Sequence, residues 1–393
     1  MEKGTILYIG GFELPDKNAA AHRVLANAKI LNSLGYETLL IGILKNNKNK
    51  AKNVTEWKEF EGLHYRSIPY PTSLKEWLEY LTSIKFINLQ KIANVKLIIA
   101  YNYPGIALWK LHKFCRKNNI KLVADCTEWY EPKGNPLFKI AKGLDVHIRM
   151  KLVHPKIDGM IVISDYLFDF YKDKLKNVIN VPPLVDLSMQ KWKLKSKTKK
   201  DGVKFIYAGS PGNGNKDRID KIIQILSNIR ELENKNFELI IVGITREQYL
   251  TSFGLNRLPI NADDFILFKG RLPHLETLEE IKKSDFSIFI RERNLTNTAG
   301  FPTKFVESIS CGTPVITNSS SNIEKFLVNN KTGFLINIED DSAIKKQLNI
   351  VLDLGPQTIL KMKDYCKEMK LFDISKYSIT YSNFIKNVLS EKN

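Results

Sequence analysis

The chain alternates between short apolar runs and longer amphipathic stretches, most regularly in two separate parts of the sequence. In the first part, the apolar run Thr5–Ile9 leads through a polar loop to a helical pattern over Ala19–Leu34 and a second apolar run at Glu37–Gly42. Strand, helix and strand in this order predict a βαβ unit with a parallel sheet. The same pattern predicts further strands at Val95–Tyr101, Ile120–Asp125 and Gly159–Ser164. A strand followed by a proline turn is predicted over Val178–Asp186, where the first domain would end.

A second series of the same kind begins at Val203–Gly209, which again reads as a buried strand ending in glycine. A helical pattern over Ser375–Leu389 closes the chain, and no strand is predicted after it. The sequence therefore predicts a second parallel α/β sheet. Its later strands are predicted at Phe237–Gly243, Phe265–Gly270, Phe286–Ile290 and Val315–Thr317.

The length of 393 residues is too great for one typical core and suggests two domains. Residues 187–202 are rich in Lys and Ser, so we interpret them as a linker between domains at 1–186 and 203–374. We expect the C-terminal helix, within 375–393, to pack back on the first domain. The predicted fold class is α/β, with two facing Rossmann-like domains and a ligand-binding cleft between them.

The formal net charge of +18 indicates an anionic partner, such as nucleic acid, an anionic membrane surface or a phosphorylated substrate. No zinc-finger spacing or RNA-recognition signature supports nucleic acid. The four cysteines are scattered and no apolar run is long enough to span a bilayer. Because the chain leads directly into the first strand, we expect no signal peptide. We therefore expect a cytoplasmic protein.

The segment Phe301–Ile316 carries the most informative chemistry in the chain. Pro302 suits the first turn of a helix that begins near Thr303, and a helix start with free N–H groups suits a pyrophosphate. Lys304 adds a full positive charge there. Glu307 follows one turn later and can accept hydrogen bonds from the two vicinal hydroxyls of a ribose. An ordinary surface helix with a Lys/Glu pair is the alternative.

Two further cations follow predicted strands of the second half. Lys216 ends a glycine-rich loop that starts at Gly209 and suits phosphate, although the loop lacks the Gly-Lys-Ser/Thr order of a P-loop. A solvated loop with a surface lysine is the equal alternative. Arg291 follows another strand, and if these strand ends are neighbours, both side chains converge with Lys304 on one pyrophosphate. Arg271 and Leu272 follow a third strand, where exposed backbone could contact a nucleobase.

The first half offers weaker candidates. Gly10 and Gly11 close the first strand and would let a ligand approach the backbone, or they form a plain turn. Asp125 and Glu128 follow another strand beside Trp129, where acids and an aromatic ring could position a sugar; a buried capping acid is the equal alternative. We count Asp125 and Glu128 as catalytic candidates and Gly10 and Gly11 as donor-site candidates. His22 and Arg23, at the start of the first helix, could also face the cleft.

Two stretches, Leu74–Lys91 and Lys133–Lys156, combine basic residues with apolar ones at helical spacing. Helices of this kind can lie on an anionic membrane surface. The alternative is a core-facing helix with a solvated basic face. We therefore expect peripheral attachment to the inner face of the cell membrane.

The chain resembles glycosyltransferases of the GT-B fold, most closely the retaining enzymes of family 4. In the first half the likeness rests on Gly10-Gly11, Leu34–Thr38 and Val162–Ser164. In the second half it rests on Tyr207–Gly209, Lys216-Asp217, Gly270-Arg271 and Phe301–Gly333. The Pro-Thr-Lys sequence at 302–304 is similar to a subgroup of capsule, O-antigen and related surface-polysaccharide enzymes.

The resemblance implies that Lys216 binds the donor diphosphate and Glu307 the ribose. Two family positions differ here, because Ala299 stands in place of the first motif glutamate and Ser210 in place of an arginine. The implied activity is transfer, with retention, of a hexose or N-acetylhexosamine from a nucleotide sugar, with UDP as the expected nucleotide, to a lipid-linked or polysaccharide acceptor. No metal or further cofactor is expected. The alternatives are a nucleotide-sugar epimerase of the same fold and a non-catalytic basic protein that binds anionic lipid or nucleic acid.

Overall fold

The structure is a computed structural model that describes residues 3–45, 56–87, 92–131, 134–193, 202–212 and 216–391. The chain divides into two compact units. The first comprises Met1–Asp186, Ala299–Phe301 and Asp373–Asn393, and the second comprises Leu187–Thr298 and Pro302–Phe372. The segment interpreted as a linker thus begins the second unit, and its residues 194–201 lie outside the described residues.

The first unit forms an eight-stranded sheet among the described residues. In chain order its strands are β1 (Thr5–Gly10), β2 (Glu37–Leu44), β3 (Lys58–Phe60), β4 (Leu63–Pro69), β5 (Val95–Tyr101), β6 (Lys121–Cys126), β7 (Gly159–Val162) and β8 (Val178–Asn180). Their spatial order is β3-β4-β2-β1-β5-β6-β7-β8. Only β3 and β4 pair antiparallel within this sheet.

Among the described residues, five α-helices connect strands of the first unit, and a sixth lies at the end of the chain. They are α1 (Ala19–Ser33), α2 (Leu74–Thr82), α3 (Gly105–Lys117), α4 (Pro136–His147), α5 (Asp165–Tyr171) and, at the end of the chain, α14 (Ser378–Ser390). A π-helical turn, Ile148–Val153, and a 3-10 turn, His154–Lys156, continue α4. Helix α1 begins where the Asn18 side chain accepts a hydrogen bond from the Ala21 N–H, which satisfies one free donor of the helix start.

The core of the first unit lies around its central strands. Every residue of β1 is buried, as expected for a parallel strand with helices on both faces. Helix α14 contributes four side chains to the same core, Tyr381, Phe384, Ile385 and Val388. The chain therefore returns to the first unit at its end.

The second unit forms a six-stranded sheet among the described residues, and all of its strands are parallel. The strands are β9 (Val203–Ala208), β10 (Phe237–Val242), β11 (Ile266–Gly270), β12 (Phe286–Ile288), β13 (Val315–Thr317) and β14 (Gly333–Leu335). Their spatial order is β11-β10-β9-β12-β13-β14. The sheet thus places β9 and β12 side by side, and residues that follow these two strands form part of the candidate site described below.

The remaining helices belong to the second unit, apart from the end of α10. They are α6 (Gln190–Lys193), α7 (Ile219–Glu233), α8 (Arg246–Phe253), α9 (His274–Lys283), α10 (Leu295–Ala299), α11 (Thr303–Ser310), α12 (Asp341–Leu352) and α13 (Pro356–Met369). No helix among the described residues has both the length and the apolar character required to cross a bilayer.

The predicted strands all exist, with ends that differ by a few residues. The pattern did not predict β3, β4 or β14. In strand β4 only Leu63 and Ser67 are buried, and β14 has three residues, so neither gives a long apolar run. Pro302 lies at the N-cap of α11 rather than in its first turn, a shift of one residue from the prediction.

Candidate functional site

Asp217 and Arg291 meet at the carboxyl edge of the second sheet. Their backbones form an isolated antiparallel bridge, and the Arg291 Nε lies 3.4 Å from the Asp217 Oδ1. Both side chains are buried, with exposed fractions of 3% and 1%. The side-chain amide of Asn318 holds the Arg291 backbone on both sides, by accepting from its N–H at 2.8 Å and donating to its carbonyl at 2.9 Å.

Lys304 reaches the same acid from the first turn of α11. Its ammonium group forms a short ion pair with the other oxygen of Asp217. The Tyr207 hydroxyl donates a hydrogen bond of 2.7 Å to that oxygen, and the Lys304 Nζ lies 4.3 Å from the centre of the Tyr207 ring. The Phe289 ring is 5.4 Å away. One lysine charge is therefore held between two aromatic rings and one carboxylate, which are the groups that stabilise a desolvated cation.

The charged groups around Asp217 shift one another's pKa values. Burial alone would raise the pKa of Asp217, but Lys304 and Arg291 outweigh it and hold that pKa below its ordinary value. Burial lowers the pKa of Lys304, and Asp217 opposes this change. Burial and the Asp217 charge raise the pKa of Tyr207 far above its ordinary value, so the hydroxyl keeps its proton. The acid is ionised at neutral pH.

Lys216 adds a third positive charge beside this group. Its side chain is exposed, and it lies close enough to Lys304 to lower the pKa of that lysine. Its carbonyl accepts a hydrogen bond of 3.1 Å from the Asn297 side chain, which fixes the end of the loop. Residues 213–215, the middle of the predicted glycine-rich loop, lie outside the described residues. The structure thus brings together the three cations that the sequence predicted to converge.

Gly209 leaves the space that the Lys304 ammonium group occupies. A side-chain carbon on Gly209 would lie 3.1 Å from the Lys304 Nζ, and the residue has a φ of +144°. Both observations disfavour any other residue at this position. The glycine at the end of β9 is therefore explained by a protein group rather than directly by a ligand.

Glu307 lies one turn after Lys304 on α11 and is partly exposed. Its Oε1 is 3.3 Å from the Nε2 of His274, the first residue of α9. The His274 ring also contacts the Trp192 ring edge to face, with centroids 6.3 Å apart. Sequence reasoning missed His274. Its position directly after Pro273, which caps the helix start, was the one available signal.

The other residues that were predicted to bind the donor differ in their exposure to solvent. Arg271 is exposed and Leu272 is half-buried directly after β11. The Gly270 carbonyl accepts a hydrogen bond of 2.7 Å from the Gly243 N–H, which ties the ends of β11 and β10 together. Phe301 and Pro302 are buried, and Thr303 is half-buried at the start of α11. Phe301 groups with the first unit.

Asp125 occupies a structural position in the first unit. Its exposed fraction is zero, and the Arg23 guanidinium binds both of its oxygens at 2.8 to 3.0 Å. The Tyr8 hydroxyl donates a further hydrogen bond, of 2.5 Å, to the same carboxylate. A carboxylate enclosed in this way cannot reach a substrate, so the catalytic interpretation of Asp125 does not fit and the capping-acid alternative does. Arg23 is likewise buried rather than directed to a ligand.

The remaining candidates in the first unit differ in how exposed they are to solvent. Glu128 and His22 are partly exposed, and Gly11 is exposed. A side-chain carbon on Gly10 would lie 2.5 Å from the Tyr101 carbonyl oxygen of the neighbouring strand. Gly10 is therefore required by the packing of β1 against β5. Of the two catalytic candidates, only Glu128 is accessible.

The comparisons with known proteins agree with this architecture. Residues 189–369 match the family model described as "Glycosyl transferases group 1". No curated protein sequence matches the chain. The match covers most of the second unit, including all three cations and Glu307.

Solved structures resemble the whole chain. A sucrose-phosphate synthase from Thermosynechococcus elongatus has 14% identity and a TM-score of 0.70, and the alignment covers 99% of this chain and 100% of that one. The catalytic domain of starch synthase IV from Arabidopsis thaliana, bound to ADP and acarbose, has 10% identity and a TM-score of 0.69 over 99% and 100%. Anabaena HepE, in complex with UDP and glucose, has 12% identity and a TM-score of 0.63 over 98% and 99%.

These likenesses identify the fold as that of the two-domain GT-B glycosyltransferases. The predicted fold class and the predicted resemblance to this group of proteins are thereby confirmed. The closer assignment to family 4 stays a prediction.

Proposed function

We propose that the protein is a glycosyltransferase that moves a hexose or N-acetylhexosamine from a nucleotide diphosphate sugar to a lipid-linked or polysaccharide acceptor, with retention of configuration. The observation that carries the proposal is the meeting of Lys216, Arg291 and Lys304 at one sheet edge, beside the start of α11. Ligands of parallel α/β sheets bind at this edge. The match of residues 189–369 to group 1 glycosyltransferases supports the same assignment.

The donor diphosphate would lie against the exposed Lys216 and the start of α11. The backbone N–H groups at a helix start and the helix dipole favour an anion there. Lys304 and Arg291 already share Asp217, so they would contribute a positive field that is fixed before the ligand arrives. Preorganised charge of this kind stabilises the negative charge that develops on a leaving diphosphate.

The rest of the donor would extend along α11. Glu307 is proposed to accept hydrogen bonds from the ribose hydroxyls, with His274 holding its carboxylate in place. Arg271 and Leu272, after β11, are proposed to contact the base. We propose UDP as the nucleotide. HepE was solved with UDP and starch synthase IV with ADP, so both nucleotides belong in the first binding test. In the first unit, Glu128 is proposed to contact the acceptor.

The three cations can offset the diphosphate charge, so we propose that the reaction needs no metal ion. The rate of donor consumption should then be unchanged when a chelator such as EDTA is added. A rate that falls with chelator and recovers with Mg²⁺ or Mn²⁺ would show that the cations alone are insufficient.

The decisive experiment is a thermal-shift series with UDP, ADP, GDP and their glucose conjugates, because a ligand that binds only the folded state raises Tm. We expect UDP to raise Tm in the wild type and not in Lys304→Ala. Lys346→Ala is the matched control, because Lys346 is an exposed lysine on α12 of the same unit. The control should respond to UDP as the wild type does.

A turnover assay separates the proposed reaction from its alternatives. A transferase releases UDP from the donor faster when an acceptor is added, whereas an epimerase converts the donor without releasing UDP. Absence of a shift with every nucleotide, in a variant series that remains folded, would contradict the proposed site and leave a non-catalytic binding protein.

A further inference from the structure

Helix α4 exposes its apolar side chains instead of burying them. Val146 is its only buried residue. Leu137 is 82% exposed, Ile140 69%, and Phe138 and Leu144 56% each. Isolated helices of this length are marginal in water, and most helices are stabilised by packing an apolar face. The apolar face of α4 therefore lacks a covering surface within the described part of the chain.

Helix α3 presents an exposed stripe beside it. Ile106 and Trp109 are three residues apart and are 36% and 50% exposed. The Lys113 Nζ lies 4.4 Å from the centre of the Trp109 ring, and Lys110 is exposed on the same side of the helix. The opposite side of α3, with Leu108 and Leu111, is buried.

The two helices meet at Gly105, the first residue of α3. The Gly105 N–H donates a hydrogen bond of 2.7 Å to the Asp145 side chain of α4. A side-chain carbon on Gly105 would lie 2.7 Å from the Asp145 carbonyl oxygen, so the backbones are in direct contact. We define the α3–α4 surface by the exposed apolar residues of both helices, Ile106, Trp109, Leu137, Phe138, Ile140 and Leu144.

The charged residues within the helices that form this surface are almost all positive. Helix α3, helix α4 and the π-helical turn after it contain eight Lys and Arg residues and a single acid, Asp145, whose carboxylate already accepts the Gly105 hydrogen bond. Only Arg149 among the eight is buried. The others are Lys110, Lys113, Arg116, Lys117, Lys139, Lys142 and Lys151.

We propose that the α3–α4 surface docks on an anionic lipid bilayer, with α4 lying in the plane of the interface. Such a helix inserts its apolar side chains at the boundary of the headgroups while its lysines pair with acidic lipids. Tryptophan is favoured at that depth because its ring is apolar and its N–H is polar. The combination of exposed aliphatic residues with an excess of lysine is complementary to acidic lipid, which favours a bilayer as the occupant.

Helix α2 is not part of this proposal. Leu74 and Leu78 are 91% and 64% exposed, but the described part of the stretch 74–91 carries as many acids as lysines. The prediction that this stretch is basic is therefore not met in its described residues. The described residues do not have the excess of positive charge that acidic lipid would attract.

The test is co-sedimentation of the full chain with vesicles of phosphatidylcholine alone and of phosphatidylcholine mixed with phosphatidylglycerol. We expect binding to the acidic vesicles to be at least about tenfold stronger, and to weaken at about 0.5 M NaCl. Ile140→Asn should weaken binding by about tenfold, because an apolar side chain would no longer enter the lipid. Ile260→Asn is the matched control, since Ile260 in the second unit is 70% exposed, and it should bind as the wild type.

A second pair of variants tests the charge. Lys139→Glu should weaken binding to acidic vesicles and make that binding less dependent on salt. Lys346→Glu should change neither the binding nor its salt dependence. Equal binding of both vesicle types would overturn the proposal, as would unchanged binding by Ile140→Asn. If the protein does not bind vesicles but forms a dimer, and Ile140→Asn dissociates that dimer, the α3–α4 surface would instead bind a second copy of the chain. Because vesicle binding is measured without substrate, failure here is distinguishable from failure of the proposed transfer reaction.

Discussion

Lys304 and Asp217 form an ion pair at the carboxyl edge of the second sheet, although 87 residues separate them in the chain. The pair joins the start of α11 to the loop after β9. Arg291, which follows β12, pairs with the other oxygen of the same carboxylate. One buried acid therefore holds two cations at the place where we propose that the donor diphosphate binds.

Replacing Asp217 should affect stability and ligand binding together. In Asp217→Asn two cations remain largely buried without their counter-ion, and removing one partner of a buried pair typically costs about 3 to 5 kcal/mol. We expect a free energy of unfolding lower by about that amount, measured by urea denaturation. UDP should restore part of the loss, because its diphosphate would replace the missing negative charge. A variant as stable as the wild type would contradict the importance of the pair.

Asp217 should also make the free energy of unfolding depend on pH in the acidic range. The folded-state pKa of Asp217 lies below its ordinary value, so its stabilising contribution is fully present above the unfolded pKa of about 3.8. That contribution is lost as the pH falls through the lower, folded pKa. We expect the difference in unfolding free energy between the wild type and Asp217→Asn to be constant from neutral pH to about pH 5 and to shrink below pH 4. A difference that already changes near neutral pH would point to another group.

Glu307 should distinguish nucleotides by their ribose. Glu307→Gln removes the negative charge that is proposed to bind the ribose hydroxyls, and hydrogen bonds to charged groups contribute about 1.5 to 3 kcal/mol. We expect UDP to bind about 10 to 100 times more weakly, as measured by calorimetry. The matched ligand is 2′,3′-dideoxyuridine diphosphate, which lacks both hydroxyls and should bind the variant and the wild type equally. An equal loss for both ligands would place Glu307 elsewhere in the site.

The two first-unit acids should behave differently when substituted. Asp125→Asn should lower the free energy of unfolding by about 3 to 5 kcal/mol, because Arg23 is left buried with a weakened partner. Glu128→Gln should change stability by less than about 0.5 kcal/mol, as expected for an accessible side chain. If Glu128 contacts the acceptor, its variant should lose turnover while its affinity for UDP is kept. An Asp125→Asn protein that is stable but inactive would return the catalytic role to Asp125.

His154 should make the first unit less stable in mild acid. It is buried in contact with the Tyr171 hydroxyl at 2.9 Å, and burial, with Arg149 nearby, holds its pKa well below the ordinary value. The unfolded chain therefore binds a proton that the folded chain does not, so stability is full above pH 6.5 and falls below it, by up to about 1.4 kcal/mol per pH unit. Urea denaturation between pH 5 and pH 8 should show this slope in the wild type and a smaller slope in His154→Asn. Equal slopes would exclude His154 as the cause.

The sequence by itself determined the order of strands and helices in both units, because buried parallel strands are continuous apolar runs and the connecting helices follow a different period. It also determined that Lys216 and Arg291 each follow a strand of one sheet and that Lys304 lies at a helix start, and parallel strands end at a common edge. The resemblance to GT-B glycosyltransferases could be read from those positions together with Phe301–Gly333. Short or mostly polar strands such as β4 and β14 were not predicted, since they bury too few side chains to leave a pattern.

Only the tertiary structure decided what each charged side chain touches. Asp125 and Glu128 look alike in sequence, yet Arg23 and Tyr8, more than a hundred residues away, enclose the first and leave the second accessible. Likewise, the pairing of Asp217 with Lys304, the contact of Glu307 with His274 and the exposure of the α4 apolar face all depend on which elements pack together. The local sequence pattern indicates helices, strands and the side chains that tend to be buried. The partner of a buried charge is instead set by the packing of elements that are distant in the sequence.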